Sequence, residues 1–127
     1  MRPKILIVDD SSLSRRTLRR ILEPAEYEVV EADDGMAALE VYFLEKPSIV
    51  LLDLVMKGMY GLDVLKKLRE MDHEARIVIA SADIQSSTRT LAEEAGAYAV
   101  INKPLVAAEV IDALNRALAG GPSFGTH

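Results

Sequence analysis

The chain has no cysteine. That excludes disulfides and thiolate zinc sites, and it fits a reducing compartment. No apolar run approaches the length of a membrane span. Met1-Arg2-Pro3-Lys4 opens directly into a four-residue apolar run, and the stretch after it is charged, so a signal-peptide apolar region is lacking. Basic residues are not in excess: 15 Lys and Arg against 20 Asp and Glu give a net charge of −5. That balance argues against a nucleic-acid surface. There is no internal repeat, and no Gly-rich phosphate loop follows the first apolar run. The expectation is a soluble, cytoplasmic protein with no membrane insertion and no direct nucleic-acid contact. At 127 residues it is one domain that buries about two-thirds of its unfolded surface, so it needs no disulfide or structural metal to fold.

What the chain does have is four short apolar runs, each ending in a polar or charged residue. Ile5-Leu6-Ile7-Val8 ends in Asp9-Asp10, and Ile49-Val50-Leu51-Leu52 ends in Asp53. Ile77-Val78-Ile79-Ala80 ends in Ser81, and Ala99-Val100-Ile101-Asn102 ends in Lys103-Pro104. Apolar runs of this length with little alternation read as parallel strands buried on both faces. Ligands of an open parallel sheet bind outside the carboxyl ends of its strands. Three carboxylates, one hydroxyl and one ammonium should therefore meet in one crevice.

Helical patterns separate the runs, which predicts an α/β fold with right-handed crossovers. The first helix should be capped by Ser11 or Ser12 and stopped by Pro24, with Leu13, Leu18, Ile21 and Leu22 inward. Tyr27–Ala32 reads as an edge strand, because Glu28 and Glu31 interrupt it. Asp33-Asp34-Gly35 is a turn and cap, and the helix after it should face Ala38, Leu39, Tyr42 and Phe43 inward. Gly58 and Gly61 bracket a loop before a helix through Leu62, Leu65 and Leu68. The fourth helix, Ile84–Ala95, is polar and should be anchored by Leu91 with small alanines. The fifth carries Val106, Val110, Leu114 and Leu118 at helical spacing. Strand 4 is read as Arg76–Ala80 and strand 5 as Tyr98–Asn102. Residues 1–119 form the domain, and 120–127 are flexible in composition.

The polar set suits phosphoryl transfer. Two carboxylates about 4 Å apart repel by roughly 4 kcal/mol at an effective dielectric near 20, and a divalent cation removes that penalty. Oxygen ligands without imidazole point to Mg²⁺, or Mn²⁺ in its place. Asp53, ending the central strand, is the natural nucleophile. Lys103 supplies a positive charge for phosphoryl oxygens, and Ser81 a hydroxyl donor. Each feature has a bland reading: an acidic pair as turn and cap, a strand-end Asp or Ser as structure, Lys-Pro as a solvated loop. Four of them in register at four strand ends favour a site. His73 and His127 read as surface and tail residues, and Met56 and Met59 as loop anchors.

The motifs Ile-Leu-Ile-Val-Asp9-Asp10-Ser-Ser, Val-Leu-Leu-Asp53-Leu-Val-Met, Gly58-Met-Tyr-Gly61, Ile-Val-Ile-Ala-Ser81-Ala82 and Asn-Lys103-Pro104 resemble the receiver domain of two-component response regulators. The single-domain chemotaxis type is the nearest in pattern, and the resemblance covers about residues 3 to 119. It implies a flavodoxin-like, doubly wound, five-stranded parallel sheet of order 2-1-3-4-5 with five helices. It implies that Asp53 accepts a phosphoryl group from a sensor histidine kinase or a phosphotransfer protein, and that a surface of helix 4, strand 5 and helix 5 then changes its affinity for a downstream protein target. By the match, Asp10 and Asp53 ligate Mg²⁺ directly, Asp9 acts through water and the Val55 backbone carbonyl completes the protein ligands. Ser81 and Lys103 would hold the phosphoryl oxygens, and the peptide before Pro104 is usually cis. Such a chain catalyses only its own phosphotransfer and dephosphorylation.

Three departures stand out: Lys57 after Met56 where proline is frequent, Val100 at the aromatic switch position, and Leu105 where phenylalanine is common. Tyr98 would share the face of Val100 if the strand is regular. A phosphorylation-independent scaffold on the same fold is the alternative. A haloacid-dehalogenase-type hydrolase is disfavoured by Val55, which stands where a second acid is typical.

Overall fold

The structure is a computed structural model and describes residues 2–56, 58, 60–82 and 85–120. Strands and helices alternate as β1 (Lys4–Val8), α1 (Ser12–Leu22), β2 (Glu28–Ala32), α2 (Gly35–Glu45), β3 (Ile49–Leu52), α3 (Gly61–Met71), β4 (Ile77–Ser81), α4 (Ser86–Glu94), β5 (Ala99–Asn102) and α5 (Ala107–Leu118). The five strands form one sheet of order β2-β1-β3-β4-β5, and every neighbouring pair is parallel. This is the expected fold class and strand order. No helix among the described residues is long and apolar enough to cross a membrane.

The strands read as unbroken apolar runs because both faces of the sheet are covered. Alternate side chains point to opposite faces, so β1 divides its residues between two cores. Leu6 and Val8 join Val50, Leu52, Ile77 and Ile79 under α2, α3 and α4. Ile5 and Ile7 join Ile49, Leu51, Val78 and Ile101 under α1 and α5, where Leu18, Leu22, Val110 and Leu114 close the layer. Each large aliphatic side chain buried in this way contributes about 1.5–3 kcal/mol. The paired registers Val8↔Leu52 and Leu52↔Ile79 bring the strand ends, and the residues after them, to one edge of the sheet.

Ser11 caps α1, its side chain accepting from the Ser14 amide at 3.2 Å. Asp34 caps α2 through the Ala37 amide at 2.8 Å. Gly61 opens α3 and does not merely border a loop: a Cβ built on it would lie 2.6 Å from the Asp53 carbonyl oxygen and also meet the Leu54 backbone. Only glycine lets the first turn of α3 approach the end of β3 this closely.

Several expected inward residues face out. Leu13 is 67% exposed; it lies about 140° around the helix from Leu18, off the inward stripe. Phe43 is 69% exposed while Ala38 and Tyr42 are buried. Apolar residues run almost unbroken from Met36 to Leu44, so helical period could not select a face there. Leu91 is 52% exposed, and it is Ala92 that is buried beneath α4. Val106 caps α5 from outside the helix and is exposed. The boundaries also move: β2 begins at Glu28, β4 runs from Ile77 and includes Ser81, β5 begins at Ala99, and α4 begins at Ser86. Ile84, Met59 and the tail beyond Gly120 lie outside the described residues.

Candidate functional site

The site lies at the carboxyl edge of β1, β3, β4 and β5. Asp9 follows β1, and its amide donates to the Ala32 carbonyl of β2 at 3.2 Å. Its Oδ1 accepts from the Ser11 amide at 2.9 Å, which turns the chain into α1. Arg15, one turn into that helix, donates from Nη1 to the Asp9 carbonyl at 2.7 Å and from Nε to Glu31 at 2.8 Å. The loop carrying Asp9 is thus held to β2 as well as to its own strand.

Asp53 follows β3, its amide donating to the Val8 carbonyl at 2.9 Å. Its side chain is nearly buried, 8% exposed as a residue. Two donors occupy Oδ1: the Ser81 hydroxyl at 2.6 Å and the Val55 amide at 3.2 Å. Oδ2 faces the Lys103 ammonium at 3.4 Å. Lys103 itself is set by its amide, which donates to the Ser81 carbonyl at 3.0 Å. The Lys103–Pro104 peptide is cis. The Lys103 Nζ also donates to Asp9 Oδ2 at 2.9 Å and to Ser14 Oγ at 3.3 Å. Burial alone would lower the Lys103 pKa, but the hydrogen bond to Asp9 and the charges of Asp53 and Asp9 outweigh it and hold it above its ordinary value.

Carboxylate oxygens of Asp9, Asp10 and Asp53 all lie within 4.8 Å of one another. Asp9 is 2% exposed and Asp10 faces solvent. Three negative charges and one ammonium leave an excess of two at this edge. The donors are hard oxygens without imidazole or thiolate, so the set fits a hard divalent cation. Val55, with an exposed side chain, follows Asp53 closely and turns its amide to that carboxylate.

All the polar residues expected at the four strand ends thus meet at one edge of the sheet. Ser14 and Arg15 were not expected there. Their only sequence signal is their place in the first turn after a capped Ser11, where a solvated helix face looks the same. Tyr98 is a correction: it precedes β5, packs on the α1–α5 side and donates its hydroxyl to the Arg116 carbonyl at 3.1 Å, whereas Val100 packs on the opposite side. Strand alternation starts only at Ala99, so Tyr98 does not stand in for an aromatic at Val100.

An open parallel sheet of order β2-β1-β3-β4-β5, with its polar cluster outside the strand ends, is of the flavodoxin-like doubly wound class. Residues 5–115 match the response regulator receiver domain, and the chain belongs to that family, as a receiver of the two-component, chemotaxis-like kind. It is 39% identical over 117 residues to the chemotaxis protein CheY of Thermotoga maritima, covering 91% of this chain and 98% of that one. It is 40% identical over 119 residues to CheY of Bacillus subtilis, covering 93% and 99%. Among solved structures, Vibrio cholerae CheY4 superposes with a TM-score of 0.89 at 26% identity, covering 93% of this chain and 100% of that one.

Proposed function

We propose that Asp53 is a phosphoacceptor, taking a phosphoryl group from a phosphohistidine of a sensor histidine kinase or a phosphotransfer protein. The observation that carries this reading is the dressing of one carboxylate. Asp53 is held on Oδ1 by Ser81 and Val55 and faced on Oδ2 by Lys103, inside a three-carboxylate cluster. A carboxylate oxygen attacks phosphorus, the phosphorus–nitrogen bond breaks, and the departing imidazole keeps the electron pair and takes up a proton. Positioning and charge supply most of the catalysis in phosphoryl transfer.

Asp9, Asp10, Asp53 and the Val55 carbonyl would hold Mg²⁺. The cation supplies positive charge that lets a dianionic phosphoryl group approach an acidic pocket. Lys103 sits where its ammonium can hold a phosphoryl oxygen, and the Ser81 hydroxyl can turn from Asp53 Oδ1 to another. That shift of Ser81 pulls on the segment leading to α4. A groove over β5 between α4 and α5, lined by Arg89, Val100, Asn102, Val106 and Arg116 among others, is the surface whose affinity for a downstream protein would change. Because Val100 offers no ring to bury, the change runs through the segment after Ser81 and into α4.

The test is incubation with acetyl phosphate, followed by intact mass. The protein should gain one alkali-labile phosphoryl group with Mg²⁺ and none with EDTA. Absence of the adduct under both conditions would favour the second reading, a phosphorylation-independent scaffold, for which the missing ring at Val100 is the supporting observation.

A further inference from the structure

We propose that Ser14 is a positioning residue for Lys103, holding its ammonium over the site independently of the carboxylates. The proposal rests on the reading of Asp53 as phosphoacceptor. An ammonium has three protons, and among the described residues Lys103 Nζ has three acceptors: Asp9 Oδ2 at 2.9 Å, Ser14 Oγ at 3.3 Å and Asp53 Oδ2 at 3.4 Å. Two of the three belong to the acidic cluster. Among the described residues Ser14 is the acceptor outside it, neutral and fixed by the backbone of α1.

That fixing is visible in the first turn of the helix. The Ser14 amide donates to the capping Ser11 Oγ, and the neighbouring Arg15 clamps the Asp9 carbonyl. The turn therefore presents a hydroxyl to Lys103 and a guanidinium to the Asp9 backbone from one rigid segment. A lysine carries a flexible four-carbon stem with large rotamer freedom. When Asp53 becomes an acyl phosphate, its contact with Lys103 must pass to a phosphoryl oxygen, and the carboxylates must also answer to a bound cation. Ser14 remains as an anchor through both events. The phosphoryl group then meets an ammonium already in place, and less ordering is needed as it binds.

The experiment compares wild type, Ser14→Ala and Ser14→Thr in three measurements: affinity for beryllofluoride with Mg²⁺ present, affinity for Mg²⁺ alone, and the nitrogen–proton correlation of the Lys103 ammonium. Ser14→Ala should bind beryllofluoride about tenfold more weakly, the scale of one hydrogen bond to a charged group. Its Mg²⁺ affinity should be unchanged, and its Lys103 ammonium signal should shift or vanish. Ser14→Thr keeps a hydroxyl and should restore both. A Ser14→Ala protein with wild-type beryllofluoride affinity or an unmoved ammonium signal would overturn the proposal, as would failure of Ser14→Thr to restore them. A wild type that binds Mg²⁺ but no beryllofluoride would overturn the phosphoacceptor reading itself, and the role of Ser14 with it.

Discussion

Removing one charge from the acidic cluster should make the metal-free protein more stable, and Asp10→Asn does this at the most exposed of the three carboxylates. Asp9 and Asp53 are nearly buried and hydrogen-bonded to Lys103, so neutralising either also weakens an ion pair. Asp10 faces solvent, yet its carboxylate comes within 4.8 Å of both others. At that separation one pair of like charges repels by about 3.5 kcal/mol at a dielectric of 20 and about 0.9 kcal/mol in bulk water. Asp10 is exposed, so the value lies toward the lower end, and lost attraction to Lys103 offsets part of it. A net gain of about 1 kcal/mol is expected for Asp10→Asn without divalent cation at low ionic strength. The gain should shrink as salt screens the cluster. With Mg²⁺ the order should reverse. A ligand at 100 times its dissociation constant stabilises the native state by about 2.7 kcal/mol, and Asp10→Asn forfeits most of that. Urea denaturation of both proteins, with EDTA and with Mg²⁺ at two salt concentrations, measures all of these terms. An Asn variant no more stable than wild type in EDTA at low salt would refute the reasoning, as would equal Mg²⁺ stabilisation of the two.

Gly61→Ala places a Cβ against the Asp53 carbonyl and the Leu54 backbone; it should destabilise by about 2 kcal/mol or more, read from denaturation midpoints, and weaken Mg²⁺ binding by displacing Asp53. Glu31 gives a pH dependence. Burial would raise its pKa, but hydrogen bonds from Arg19 and Arg15 outweigh that and hold it below the usual carboxylate value. The unfolded chain then binds the proton more readily, so this contribution is present above the ordinary carboxylate pKa and lost as pH falls through the lowered one. Glu31→Gln should flatten the stability profile as pH falls below the ordinary carboxylate range, and a profile unchanged from wild type would exclude the contacts of Glu31 with Arg15 and Arg19 as its source. Amide exchange with and without beryllofluoride should change most at Ala82 and over Gln85–Ala92. Large changes centred on β5 with that stretch unmoved would contradict the proposed route of transmission.

Much of this molecule is legible in its sequence because its strands are buried on both faces. Ile5–Val8, Ile49–Leu52 and Ile77–Ala80 had to be apolar throughout, so their ends show as abrupt changes to Asp9, Asp53 and Ser81. Helix faces were less legible. In α2 the apolar run from Met36 to Leu44 carries no stripe, so Phe43 could not be separated from Tyr42. In α4 the buried residue is Ala92, and small side chains give little periodic signal. The site residues at strand ends follow from topology. Ser14 and Arg15 do not, because only the start of α1 at its Ser11 cap turns them toward Lys103 and Asp9. The closeness of Gly61 to the end of β3 is likewise a packing fact that Gly58-x-x-Gly61 does not distinguish from a loop.

The central claim is that Asp53, and no other residue, accepts the phosphoryl group. Borohydride reduces an acyl phosphate of aspartate to homoserine, marking the site covalently. After acetyl phosphate and Mg²⁺, then borohydride and peptide mapping, homoserine should appear at position 53 in wild type and nowhere in Asp53→Asn. Homoserine at Asp9 or Asp10, or a phosphoryl adduct that forms equally well without Mg²⁺, would contradict the account.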